Sequence, residues 1–230
     1  MEVRVLWLLL CAVSMAQEDM DKNVFLFSKS SHADYVVLNP EVTEPLHKLT
    51  ICLRSYTDLT VGRALFIVGK PETQRRNVFV MFQNPTDFTQ TSPYCYSNIY
   101  INDTLVSIKA KADILDWMHR CVTWDSNTGV LQLWVNGKLS PRTVLQKGSS
   151  IDLQDGIYLG PVHSNREILW NPPIPFEGEI SDVHMWNEVL PPETIRRVLL
   201  NNRYVNGDVI SWRSLNYTIN GDVIVQPKLQ

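Results

Sequence analysis

Two glutamates near residue 178 are the pair of side chains in this sequence best suited to general acid–base chemistry. Glu177 and Glu179 are separated by one residue, with a third carboxylate at Asp182. On an extended strand this spacing would place both glutamates on one face, as in the acid and nucleophile of jelly-roll glycoside hydrolases. Asp182 is offset from that face, and no aromatic platform for a sugar can be assigned. A solvated strand face therefore explains the pair better than a glycosidase site does, and we expect a protein that is not an enzyme.

His119 and Cys121 are the next candidates, because a histidine and a cysteine two residues apart can both ligate zinc. The pair lacks the other two ligands of a closed structural zinc site. The remaining histidines are scattered along the chain, and no Ser-His-Asp arrangement can be argued from them. We assign no nucleophile, no confident metal ligand and no organic cofactor from these residues.

Three cysteines lie beyond the first sixteen residues, which makes one disulfide and one unpaired thiol. We expect the bridge Cys52–Cys121, since each residue lies in a strand-like run that a sandwich would place side by side or face to face. In the chain-entropy model such a bridge stabilises the fold by roughly 3–5 kcal/mol. The unpaired residue is then Cys95, for which a buried, unreacted thiol is favoured over an intersubunit bridge or a reactive thiol.

Short strands must position these side chains. Runs rich in β-branched and aromatic residues cover 24–27, 35–38, 65–68, 78–82 and 130–135. Asn136-Gly137 predicts a type I′ hairpin turn, because both residues accept positive φ, with a return strand through residues 138–139. The pentapeptide Asn-Gly-Asp-Val-Ile occurs at 206–210 and again at 220–224, and we interpret each copy as a turn followed by a strand.

One short helix interrupts the strand pattern. It is predicted to begin at the prolines 191 and 192, which suit the first turn of a helix. Ile195, Val198 and Leu199 then share one face at helical spacing. The asparagines at 201 and 202 are expected to end it.

The amino-terminal segment indicates export. Arg4 precedes an apolar run over residues 5–13, and Ser14 and Ala16 put small residues at the positions that signal peptidase prefers. We predict a signal peptide over residues 1–16 and a single domain over residues 17–230. The run is well short of the ~20 residues that a membrane-spanning helix needs, so we expect a secreted, extracellular protein without a membrane span.

Composition is that of a packed β domain. Apolar residues make up 44% of the chain and aromatic residues 10%. The formal net charge of −3 is too small to favour nucleic acid or an anionic membrane. In an exported chain, the Asn-X-Thr triplets that begin at Asn102 and Asn216 are acceptors for N-linked glycans.

The segment HRCVTWDS, residues 119–126, matches the pentraxin signature His-x-Cys-x-Ser/Thr-Trp-x-Ser/Thr at every fixed position. Similar runs extend over the whole mature chain: DMDK at 19–22, LQLWVNGK at 131–138, GEI at 178–180, VHMW at 183–186 and ISW at 210–212. On these residues the chain resembles the pentraxin family along its full length.

That resemblance implies an all-β fold, a two-sheet antiparallel jelly-roll sandwich of lectin-like type with one short helix on one face. It also implies the Cys52–Cys121 bridge and a homo-oligomeric ring, usually a pentamer. Family members are mostly secreted, acute-phase or other host-defence proteins that bind phosphocholine, phosphoethanolamine or carbohydrate through two calcium ions per subunit. The helix-bearing face recruits complement or receptors, and Arg196-Arg197 on the helix could meet an acidic partner there.

The positions that match the calcium ligands of the family have lost their charge. The Asp-Asn pair of the family reads Arg76-Asn77 here, so Asn77 is the only retained ligand and a cation replaces an anion. After Leu159-Gly160, the acidic loop is replaced at every matched position: Val162, His163, Ser164, Asn171 and Ile174. Because calcium requires several carboxylate oxygens, we expect its binding to be lost or altered.

Two residues near that loop leave alternatives open. A shifted register would recruit Glu167 and Glu177 as calcium ligands. Phe82 matches the position where relatives place an aromatic ring against the methyl groups of the ligand, although a phenylalanine at the end of a strand is more often a core residue.

We therefore expect a secreted, ring-forming, pentraxin-like pattern-recognition protein of innate immunity. The first alternative is an ordinary calcium-dependent pentraxin lectin, and a jelly-roll glycoside hydrolase is a distant second. A laminin-G-like adhesive domain would share the sandwich but would not form a ring.

Overall fold

Alternation of core-facing and outward-facing side chains along short strands determines the architecture. The computed structural model describes residues 17–28, 34–40, 42–58, 61–69, 78–85, 94–111, 115–161 and 175–229. These residues form fifteen strands and one α-helix, with a short 3-10 turn at Trp212–Ser214. The strands are β1 Asn23–Phe27, β2 Tyr35–Leu38, β3 Lys48–Tyr56, β4 Arg63–Val68, β5 Phe79–Pro85, β6 Tyr94–Ile101, β7 Thr104–Lys111, β8 Met118–Asp125, β9 Val130–Val135, β10 Lys138–Leu139, β11 Thr143–Val144, β12 Ile157–Leu159, β13 Gly178–Trp186, β14 Tyr217–Asn220 and β15 Ile224–Pro227. The helix is α1, Pro192–Leu199.

The strands form two antiparallel sheets. The eight-stranded sheet has the order β10-β9-β8-β3-β13-β1-β15, with β11 also pairing with β9. The seven-stranded sheet has the order β14-β2-β12-β4-β5-β6-β7. This is the predicted two-sheet jelly-roll sandwich with one short helix.

The main core lies between the two sheets. On β3, Leu49, Ile51 and Leu53 belong to this core, whereas Cys52 belongs to a separate cluster under α1. β8 alternates in the same way, with Trp124 in the core and Cys121 beneath the helix. The period of two along each strand thus gives the eight-stranded sheet two buried faces.

Helix α1 covers the outer face of the eight-stranded sheet. Its buried residues Ile195 and Val198 pack in the cluster that contains the disulfide, Trp134 and Trp186. The helix ends at Leu199, as the sequence predicted. No helix in the described part of the chain is long and apolar enough to cross a membrane.

The predicted hairpin turn is confirmed, since Asn136 and Gly137 both have positive φ, 47° and 77°. The two pentapeptide repeats, however, differ in structure. The second copy leads into β15, but the first forms only an isolated bridge between Ile210 and Met185. The prediction of a strand there was wrong, because the amides of Val209 and Ile210 both donate to the carbonyl of Met185 and the chain then enters the 3-10 turn.

Candidate functional site

Phe82 lies on the outer face of the seven-stranded sheet and not in the main core. Along β5, Phe79 and Met81 point between the sheets, while Val80 and Phe82 point to the other side. We call the second group the Phe82 cluster. It consists of Ala64, Ile67, Val80, Phe82 and Tyr100, with Tyr158 packed against it.

Gly62 lies close against the ring of Phe82. A Cβ at residue 62 would lie 2.9 Å from the Phe82 ring and 2.0 Å from Asn84 Oδ1, so any other residue there would displace one of these side chains. Phe82 is 7% exposed. The ring is therefore fixed in a cluster of apolar and aromatic side chains, on the face opposite the one that carries α1.

A buried ion pair lies beside this cluster. Arg63 at the start of β4 donates to Glu177 Oε2 at 3.2 Å and to the carbonyl of Pro175 at 3.0 Å. Asp58 Oδ1 lies 3.8 Å from the same guanidinium. Arg63 is buried, so its charge depends on these partners for compensation.

The predicted pairing of Glu177 with Glu179 on one strand face was wrong. Glu177 precedes β13 and reaches Arg63 in the other sheet. Glu179 lies within β13, where burial raises the pKa of its carboxyl and the nearby Lys228 ammonium partly opposes that rise. The backbone turns between the two residues at Gly178, whose φ is +129°, and this breaks the alternation that a regular strand would have imposed.

Most of the predicted calcium positions lie outside the described residues. These are Arg76, Asn77, Val162, His163, Ser164, Glu167, Asn171 and Ile174. The predicted loss or alteration of the calcium site, with Asn77 as its one retained ligand, stays a prediction.

The disulfide Cys52–Cys121 is present and joins directly opposed residues of β3 and β8. Cys95 is a free, buried thiol, as expected. Within the part of the chain that the structure describes, the only group of three potential metal ligands is Cys52, His119 and Cys121. In the oxidised protein the two cysteines of this group are bonded to each other.

Two buried histidines flank the disulfide. Burial lowers the pKa of His119 to about 3, helped by the nearby Arg54 guanidinium. Burial also lowers the pKa of His184 to about 4, with a further contribution from Arg213. Both rings are therefore neutral at physiological pH. Sequence reasoning missed His184 as a buried group, because alternation along β13 places it on the face away from Val183, Met185 and the main core.

Arg120 is a second residue that sequence reasoning missed. It occupies a core-facing position of β8, between Met118 and Val122, and is completely buried. A charged residue at that place in an alternating strand was a detectable signal.

The predicted surface sites are at least partly exposed. Asn102 is half-buried in the β6–β7 turn and donates through Nδ2 to the carbonyl of Ser150. Asn216 is also half-buried and accepts from Asn39 through Oδ1. Their glycosylation stays a prediction. On α1, Arg196 and Arg197 are exposed, and two exposed apolar side chains follow them, Leu200 and Tyr204.

Comparison with known proteins places this geometry in a family. The Pentaxin family model matches residues 23–227. C-reactive protein of Xenopus laevis is 44% identical over 230 residues, covering 100% of this chain and 93% of the relative. Serum amyloid P-component of Cavia porcellus is 33% identical over 214 residues, covering 93% and 91% respectively.

Among solved structures, the native heptameric SAP-like pentraxin of Limulus polyphemus superimposes with a TM-score of 0.75. It is 18% identical to this chain, and the match covers 91% of this chain and 96% of that one. The structural match supports the jelly-roll fold, while the sequence matches establish common ancestry with these relatives. The chain belongs to the pentraxin family.

Proposed function

We propose that the chain is a secreted, ring-forming recognition protein of innate immunity whose calcium-dependent ligand binding has been lost or altered. The observation that carries this proposal is the loss of carboxylates at the matched ligand positions in a chain whose two sheets are both formed. Arg76, Val162, Ser164 and Ile174 stand where the family has calcium ligands. Calcium takes six to eight oxygens and gains most of its affinity from charged ones.

One of the two acids that a shifted register would recruit is already engaged. Glu177 is the described residue that a shifted register would have to recruit, and it forms an ion pair with Arg63 at 3.2 Å. Moving it to a calcium ion would leave the buried Arg63 guanidinium with the Pro175 carbonyl and with Asp58 at 3.8 Å. Arg63 would lose its nearer carboxylate, at 3.2 Å. The donor set of this chain therefore does not fit a calcium pair, and we derive no binding step through the metal.

The Phe82 cluster is our candidate binding site for the apolar part of a ligand. Its aromatic and aliphatic side chains suit the methyl groups of a choline headgroup or the apolar face of a sugar. The cluster lies apart from the main core, on the outer face of the seven-stranded sheet. Phe82 is its most exposed buried member, at 7%, so a ligand would approach the cluster at this ring.

The opposite face suits a protein partner. Arg196, Arg197, Leu200 and Tyr204 are exposed on or just after α1. Ligand on one face and complement or receptor on the other would let a ring connect a target to an effector. The ring itself is supported by the heptameric Limulus relative, and export is supported by the disulfide, which persists in oxidising compartments.

The calcium part of the proposal is tested by isothermal titration of the mature protein with calcium. We expect no saturable heat at calcium concentrations up to the range in which extracellular calcium modules bind, roughly 0.1–1 mM. A matched variant, Arg76→Asp with Val162→Glu and Ser164→Asp, restores three carboxylates and is expected to gain measurable binding. Micromolar binding by the unmodified protein at two sites per chain would support the ordinary calcium-dependent lectin instead.

Ligand binding at the Phe82 cluster is tested separately with phosphocholine-coated beads. We expect any capture of the protein to persist in chelator and to fall in the variant Phe82→Ala. Loss of protein capture in the presence of chelator would contradict calcium-independent binding at the Phe82 cluster. Light scattering on the same samples tests the ring, and a monomer would favour an adhesive domain that does not assemble.

A further inference from the structure

The Cys52–Cys121 bridge lies in a closed, mostly apolar compartment. The two residues face each other on β3 and β8 with a Cα–Cα distance of 4.1 Å. Both are completely buried beneath α1. The surrounding side chains are Trp134, Trp186, Leu190, Ile195, Val198 and Val205.

A histidine completes the group. His119 lies two residues before Cys121 on the same face of β8, and its Nε2 is 3.6 Å from Cys121 Sγ. The ring is 1% exposed, and its Nδ1 has no hydrogen-bond partner. The three candidate ligand atoms, two sulfurs and one nitrogen, all lie within 4.8 Å of one another.

This spacing is that of a tetrahedral zinc site. With Zn–S bonds of about 2.3 Å and Zn–N bonds of about 2.0 Å, a sulfur and a nitrogen ligand lie about 3.6 Å apart. The observed distance from His119 to Cys121 already has this value. Opposed cysteines on paired strands can supply two thiolates at a similar spacing once the covalent bond between them is broken.

We propose that reduction of the Cys52–Cys121 disulfide converts this group into a three-ligand site for zinc or another thiophilic divalent cation, with one water molecule enclosed beside the cation as the fourth ligand. The reductant is a thiol or a phosphine, which supplies two electrons while two protons convert the disulfide to two thiols. A dithiol ends as its own disulfide, and a phosphine as its oxide with oxygen from water. The cation then displaces both thiol protons to solvent.

Charge favours this choice of ion. Two thiolates and a divalent cation sum to zero, so the compartment gains no net charge on metal binding. The neighbouring Asp182 lies 3.0 Å from Arg54 and 2.8 Å from Lys228, so this group carries one excess positive charge and does not repel two thiolates. Calcium is not expected here, because it prefers oxygen ligands, whereas thiolate and imidazole favour zinc. The metal would hold β3 to β8 in reducing conditions, as the disulfide does in oxidising ones.

Cobalt(II) is the probe that tests the proposal, because thiolate ligation gives it a charge-transfer band and tetrahedral geometry intensifies its visible bands. The full mature protein is reduced anaerobically with a phosphine and titrated with cobalt. We expect both spectral features with one ion per chain, their loss when zinc is added, and neither feature in the unreduced protein. The variant His119→Gln should weaken cobalt binding at least tenfold. The matched control Cys95→Ser, which removes the other thiol, should leave the spectrum unchanged.

Equal spectra from reduced wild-type protein and reduced His119→Gln would overturn the proposal, as would a thiolate band that Cys95→Ser removes. Absence of cobalt uptake by a folded, reduced protein would do the same. If reduction unfolds the chain, near-ultraviolet circular dichroism with and without zinc measures whether the metal refolds the reduced protein. Zinc is then expected to restore the folded signal in wild-type protein but not in His119→Gln, and failure to restore it in wild-type protein contradicts the site.

Discussion

Arg120 places a positive charge between the two sheets, where no water can solvate it. It is 0% exposed, and burial lowers the pKa of its guanidinium. The guanidinium donates to Gln83 Oε1 at 2.7 Å, to Ser55 Oγ at 2.8 Å and to Ser97 Oγ at 3.3 Å. These acceptors are neutral, so they satisfy the donors without neutralising the charge. A buried ion held in this way depends on each of its hydrogen bonds.

We expect Gln83→Leu to lower the free energy of unfolding by about 1.5–3 kcal/mol, because it removes the shortest acceptor from a buried cation. Adding Arg120→Met in the same chain should recover most of that loss, since an apolar side chain needs no acceptor there. Urea denaturation measures both values. Gln132→Leu, at a half-buried position on β9, is the matched control and should change stability by less than about 0.5 kcal/mol. Additive losses in the double variant would contradict this account of Arg120.

At the scale of elements, local patterns predicted much of the fold but not its long-range pairing. The Asn136-Gly137 turn and the start of α1 follow from backbone preferences of a few residues, so they were predictable. The Cys52–Cys121 bridge brought β3 and β8 together in the prediction, but it left open whether they pair side by side or face to face. The pairing of β3 with β13 was not predicted, because it depends on long-range contacts such as that of Cys52 with His184.

The candidate site likewise combines local features that the sequence predicted with long-range contacts that it did not. Alternation along β5 predicts that Phe82 shares a face with Val80, but both faces of this strand are apolar, so the sequence did not indicate which one points outward. The pairing of Arg63 with Glu177 joins residues from β4 and the approach to β13, and no local pattern indicates it. The error over Glu177 and Glu179 arose at Gly178, where one positive φ changes the direction of the side chain before it.

Gly178 also makes a testable contribution to the start of β13. A Cβ there would lie 2.1 Å from the carbonyl oxygen of Tyr56, which is backbone and cannot move alone. Gly148 is a matched control, since it also has positive φ, +81°, but a Cβ would meet nothing within 4 Å. We expect Gly148→Ala to cost about 1 kcal/mol from backbone strain and Gly178→Ala about 3 kcal/mol or more. Equal losses in urea denaturation would show that the contact with Tyr56 has no effect.

For the whole molecule, the outer face of the eight-stranded sheet concentrates buried charge from distant parts of the chain. Asp182 is 5% exposed and lies 3.0 Å from Arg54 on β3 and 2.8 Å from Lys228 near the carboxyl end. His184 follows on the same strand, after an irregularity in the pairing of β13 with β3. His119 on β8 is also buried on this face. Because these two buried histidines lie there, sensitivity of the fold to acid should originate on the helix-bearing face.

The titration of His184 gives that sensitivity a sign and a range. Its Nδ1 accepts from the amides of Gly207 and Trp212, both at 3.4 Å, so a proton at that atom would remove both bonds. The pKa is lowered from 6.5 to about 4 in the folded protein by burial and by Arg213, against the opposing effect of Asp182. Between these values the unfolded chain holds a proton that the folded chain lacks, so stability is highest above pH 6.5 and falls as the pH falls towards 4. Each pH unit in this range should remove about 1.4 kcal/mol of stability through this group.

Urea denaturation of the disulfide-intact protein at a series of pH values measures the slope of the free energy of unfolding against pH. The variant His184→Gln keeps an acceptor but cannot titrate, so it should reduce this slope by about 1.4 kcal/mol per pH unit. An unchanged slope in that variant would assign the acid sensitivity to other groups.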